Sequence, residues 1–203
     1  MGTPEDIRRL LEKSGQMRVA LSRTHESSPY PIIFQFWDRL VENNRAILVL
    51  LDNELFNEAA AVQRISIEHL STMIGLLKGH VTEQQLHDEA VNQTVKLANN
   101  IDSEEKKDSV LTEENKARLA EVRRKVGKIE TSKLGVADLL QKCRLSFLYY
   151  RYRTLSNTAV HSTLLSAIDP FSKSDVPELL KTAQELLQFA MEFMKEGAAS
   201  VAG

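Results

Sequence analysis

Tyr152, Arg153, Ser156, Asn157 and His161 fall within residues 152–161, and these are side chains suited to chemistry on a phosphate. On a continuous α-helix Arg153, Asn157 and His161 are spaced four apart. Each step of four turns by about 40°, so the three share one face. An arginine can hold a phosphate through its planar fork, and an imidazole can move a proton near neutral pH. The plainer alternative is a hydrogen-bonded histidine at a helix end. Ser156, Asn157 and Thr158 together also lower helix propensity, so the helix can bend or stop here.

A second constellation is Arg64 and Glu68, an i,i+4 pair inside an apolar stretch that also holds Ile65, Ser66, Ile67 and His69. On an exposed helix such a pair is worth a few tenths of a kcal/mol and carries no function. Buried, it must be satisfied, and buried charged pairs often lie near sites.

Other groups offer less. His80 and His87 are flanked by Glu83 and Asp88, but no third metal ligand is evident, and no metal or cofactor is expected. There is no HExxH, P-loop, G-x-G-x-x-G or G-x-S-x-G motif. Cys143 is the single cysteine, which excludes an internal disulfide. Its neighbours Lys142 and Arg144 could lower its pKa, but no paired histidine in sequence context marks it as catalytic.

The 203 residues carry a net charge of −2, so nothing global calls for nucleic acid or an anionic membrane, and no DNA partner is expected. The charge is segregated: residues 81–115 hold nine acids and three bases, residues 116–153 eleven bases and three acids. Solvated helix faces explain this, or an anionic ligand at the basic stretch. Phe147, Tyr149, Tyr150 and Tyr152 lie in that stretch, and aromatics among cations suit stacked bases. The N-terminus shows no secretory signal, and the longest apolar run, residues 46–51, is too short for a membrane span. The expected location is the cytoplasm.

The elements that must position these groups are helices. Glycine and proline are sparse, and no period-2 alternation marks a strand. Helices are expected over residues 4–23, 32–52, 58–78 and 82–99, then from 112, from 136 to near 158, and from a capping box at Asp175–Glu178. Residues 99–112 read as a flexible loop and 197–203 as a frayed tail. The expectation is an all-α bundle of six or seven helices in a single domain, or one domain with an insertion, with the second, third and sixth helices central.

Two stretches carry a resemblance. The apolar run 46–51, the turn at Asp52, Asn53, Glu54 and Leu55, and the Arg64–Glu68 pair resemble an uncharacterised bacterial family of helical proteins. That family's second signature is a tyrosine, a Leu-Ser pair and a downstream histidine, here Tyr152, Leu155, Ser156 and His161. The resemblance covers roughly residues 33–162. The family is similar to the HEPN superfamily, helical bundles of which many are metal-independent ribonucleases in toxin–antitoxin and anti-phage systems.

The resemblance implies a HEPN-like bundle with a polar site of Arg64, Glu68, Tyr152, Arg153, Ser156, Asn157 and His161 that binds RNA or a nucleotide. It implies His161 as general acid or base, a homodimer and an antitoxin-type protein partner. The HEPN spacing would place its arginine at Thr154, Leu155 or Ser156. Arg153 is one residue outside that spacing, and Arg64 could supply the missing cation. The competing expectation is a non-catalytic interaction module, or a small-molecule-binding one, in which the polar cluster is structural.

Overall fold

The computed structural model describes residues 2–27, 29–108, 111–126, 135–160 and 167–201. Among them are eight α-helices and no strand. Thr3 opens the first, α1 (Pro4–Ser22), with a capping box: its hydroxyl accepts from the Asp6 amide, and the Asp6 carboxylate accepts from the Thr3 amide. The Thr3 bonds hold the Asp6 carboxyl below its ordinary range. Next come α2 (Tyr30–Asp52) and α3 (Phe56–Leu77), both within two residues of the boundaries read from sequence.

Three helices end on the same motif. Glu54, Gly79 and Arg144 take left-handed φ values of 59°, 67° and 61°. In each case the next amide reaches back five residues: Leu55 to Leu50, His80 to Gly75, and Leu145 to Leu140. Glycine takes this conformation without strain, while Glu54 and Arg144 adopt it at a cost.

The Arg144 turn is why the helix expected from residue 136 to near 158 is broken. It becomes α6 (Val136–Lys142) and α7 (Phe147–Leu155), followed by one π-helical turn, Ser156–Val160. The expected loop over 99–112 also differs, because α4 (Glu83–Asp108) runs through most of it before α5 (Glu113–Val126). The last helix, α8 (Val176–Val201), is helical through most of the expected frayed tail. Its lead-in capping box belongs to Ser172 and Asp175 around a short 3₁₀ turn, so Asp175 answers Ser172 and does not itself cap α8.

Residues Met1–Val81 with Gly135–Gly203 form one compact unit, and Thr82–Leu134, inserted between them in the chain, form a second. In the second, α4 and α5 pack together. In the first, α2 and α3 make the main pairing, with α8 against α1, α2 and α3. The core is Ile33, Trp37, Leu40 and Ile47 of α2, Ile67, Leu70, Met73 and Ile74 of α3, and Leu186, Leu187, Ala190 and Met194 of α8. The third central helix is therefore α8, whose apolar face outweighs those of the two short helices α6 and α7. Val49 at the apolar end of α2 is 61% exposed, so that end is not buried all round. Gly75 lets α6 approach α3: a Cβ there would stand 3.3 Å from Leu139 Cδ2.

Candidate functional site

The site is built where α7 crosses α3. Arg64 and Glu68 sit one turn apart on α3, and their side chains are 19% and 31% exposed. Tyr152 and Ser156 sit one turn apart on the facing helix. Arg64 Nε donates to Ser156 Oγ at 2.8 Å, and Arg64 Nη2 donates to the Tyr152 hydroxyl at 2.8 Å. The Tyr152 hydroxyl donates to Glu68 Oε1 at 3.0 Å, the same oxygen that pairs with Arg64 Nη2 at 3.0 Å. Arg64 Cζ also lies over the Tyr152 ring, 4.8 Å from its centroid. Burial, and then the Glu68 carboxylate, hold the Tyr152 phenol above its ordinary pKa, so it stays a neutral donor.

Ser156 explains the local backbone. Its hydroxyl donates to the Tyr152 carbonyl at 2.8 Å while accepting from Arg64. Such back-bonding bends helices, and here the α-helix gives way to the π turn. The regular α-helical spacing assumed for Arg153, Asn157 and His161 therefore stops at Leu155. Arg153 and Asn157 are both exposed, and His161 lies outside the described residues. Four of the seven predicted site residues thus come together, Arg64, Glu68, Tyr152 and Ser156. Among the described residues Arg153 makes no bond to them.

Tyr149 of α7 extends this face. Tyr149 stacks on Tyr152 with centroids 6.3 Å apart and ring planes 22° from parallel. Tyr149 is 38% and Tyr150 79% exposed.

The description "Family of unknown function (DUF5677)" matches residues 30–178 of this chain, well over half its length. The chain belongs to DUF5677. The match spans all four residues of the cluster and both helices that carry them. Comparisons with curated proteins and with solved structures bring no match.

Beside the cluster, this DUF5677 chain carries a histidine that sequence spacing did not single out. His69 follows Glu68 on α3, and its Nδ1 lies 3.3 Å from Asn43 Nδ2 of α2. Phe36 packs against its ring, with centroids 5.9 Å apart. The partners are 26 residues apart in sequence, so only the packing of α2 on α3 reveals them. Burial chiefly, with Glu68 opposing, lowers the His69 pKa from its ordinary 6.5. The folded state therefore binds this proton less readily than the unfolded chain. Stability is full above pH 6.5, falls as pH drops through 6.5, and levels off below the folded pKa. Urea melts at pH 7.5 and 5.5 will give a loss that His69→Gln reduces; an equal loss in the variant rules His69 out as its source.

Cys143 is 1% exposed, and burial pushes its thiol pKa up, with Lys78 only partly opposing. The activation suggested by its basic neighbours does not occur, because Arg144 is in a turn and the thiol is in the core. No group of three or more metal-ligating side chains gathers among the described residues, and no described helix is long and apolar enough to cross a membrane.

Proposed function

We propose that this DUF5677 chain binds RNA or a nucleotide on the α3–α7 face, and that its first unit is a HEPN-like bundle. One observation carries the reading: a tyrosine stack whose outer ring is exposed is joined to an arginine. Tyr149 lies on Tyr152, and Arg64 lies over the Tyr152 ring. Bases stack on such rings largely regardless of sequence, at roughly 1–3 kcal/mol per base. Exposed Arg153 on the same helix provides a cation for the backbone. A π turn directly follows, and such turns are frequent at functional sites.

In the catalytic form of this proposal, His161 is the general acid or base of a metal-independent ribonuclease in bacterial defence or stress. Arg64 and Arg153 then stabilise the negative charge that develops on the phosphate oxygens. A homodimer and an antitoxin-type protein partner belong to the same proposal.

A second reading is favoured by the pairing of Arg64. Glu68, Tyr152 and Ser156 already engage it, as they would in a network that only fastens α7 to α3 within an interaction module. RNA separates the two readings. The proposal expects single-stranded RNA to bind the wild type, with cleavage in EDTA that His161→Ala abolishes if the site is catalytic. Absence of binding by a folded sample supports the interaction module.

A further inference from the structure

The other face of α7 borders a cleft of 390 Å³, closed by the start of α8 and the segment before it. Ligand sites of small molecules start near this size, at roughly 300 Å³. Phe171 and Tyr150 are its aromatic residues. The Phe171 amide donates to Asn57 Oδ1 at 2.9 Å, which ties this segment to α3.

The floor is polar. Gln63 and Thr182 line it at 1% and 2% exposure. Gln63 Nε2 donates to the Leu179 carbonyl at 2.7 Å, which leaves its Oε1 as a spare acceptor. Thr182 lines the cleft, and its hydroxyl has no hydrogen-bond partner among the described residues. Two nearly buried side chains thus offer unused hydrogen-bonding capacity at one place, which in a native protein calls for a ligand or ordered water.

The charge at the cleft selects the ligand. Among the described residues Arg151 is its one lining cation, and it is committed to two carboxylates, Glu185 and Glu178, the latter at 3.0 Å. Asp175 adds a further carboxylate on the lining. A smaller recess of 140 Å³ shares Thr154, Phe171 and Asp175 with the cleft and adds Asp169. Lys181 lies 3.9 Å from Glu178 and offsets part of this charge. Among the described residues, four acids against two bases leave an excess of negative charge around an aromatic-walled cavity with acceptors at its floor. Rings, carboxylates and acceptors together recognise cations that carry N–H donors.

We infer that this cleft binds a small organic cation, a planar amidine or an amine, with its N–H groups toward Gln63 and Thr182 and its charge toward Asp175 and Glu178. The cleft shares no residue with the cluster of Arg64, Glu68, Tyr152 and Ser156, and the inference does not rest on the RNA reading.

The probe is benzamidine, titrated by calorimetry into the whole chain beside its neutral counterpart benzamide and its anionic one, benzoate. Benzamidine is expected to bind saturably, benzamide at least about tenfold more weakly because the charge is missing, and benzoate not at all. Thr182→Val keeps the side-chain shape and removes the hydroxyl; Asp175→Asn keeps the size and removes the charge. Each is expected to weaken benzamidine several-fold while the circular dichroism spectrum is unchanged. Equal binding of benzamide, no saturable binding of benzamidine, or benzamidine binding that neither folded variant alters would each overturn the inference.

Discussion

Trp37→Ala will lower the free energy of unfolding by about 3–5 kcal/mol, measured by urea denaturation at neutral pH. Trp37 is fully buried on α2, and its indole Nε1 donates to Ser14 Oγ of α1 at 2.7 Å. Ser14 is itself fully buried. Truncation removes the largest side chain of the core, leaves a cavity between α1 and α2, and strands a hydroxyl. The stranding alone costs about 1–3 kcal/mol. Trp37→Phe separates the two effects, since it keeps most of the volume and loses the bond. A loss under about 1 kcal/mol for Trp37→Ala is too small for a packed core site and would contradict the α1–α2 packing.

Arg64→Ala will cost about 2 kcal/mol, less than the 3–5 kcal/mol of a fully buried pair, because Glu68 keeps some access to water. The substitution removes donors to Ser156 and Tyr152 and leaves the Glu68 carboxylate without its counter-ion. Arg64→Lys will recover little, because an ammonium cannot reproduce the fork that serves Nε and Nη2 partners at once. Arg64→Met combined with Glu68→Leu will regain much of the stability, since a matched apolar pair has no stranded charge. That double variant also probes function. Recovered stability with lost RNA binding assigns the pair to the site, and recovered stability with intact binding assigns it to structure. A single-variant cost below about 0.5 kcal/mol would match an exposed pair and contradict the geometry.

The parts of the fold legible in the sequence are those fixed by local chemistry. Thr3, Pro4 and Asp6 announce α1, and Gly79 marks the end of α3, because caps and left-handed turns depend on a few adjacent residues. The break at Arg144 was not legible, since an arginine in the left-handed region gives no compositional warning. Residues 99–108 read as a loop because they are polar, but Glu104, Glu105, Lys106 and Lys107 are good helix formers.

The site follows the same division. The i,i+4 spacing of Arg64 with Glu68 was visible, while Tyr152 and Ser156 stood out only within residues 152–161 and through the family resemblance. That the two pairs meet across 88 and 92 residues of chain is a property of packing. The contact between Gln63 and Leu179, 116 residues apart, is likewise absent from any local pattern. The π turn was legible only as weakened helix propensity at Ser156, Asn157 and Thr158. The serine hydroxyl at its start, shared between Arg64 and the Tyr152 carbonyl, required the facing helix.

The most direct test of the proposed function is the affinity of fluorescently labelled single-stranded RNA for the wild type, Tyr149→Leu and Arg153→Ala, measured by anisotropy in EDTA at two salt concentrations. Saturable wild-type binding is predicted, weakened about tenfold or more by loss of the stacking ring, with a shallower salt dependence when Arg153 is removed. No binding by a folded wild type, or binding that neither variant changes, would contradict the assignment of the α3–α7 face to RNA.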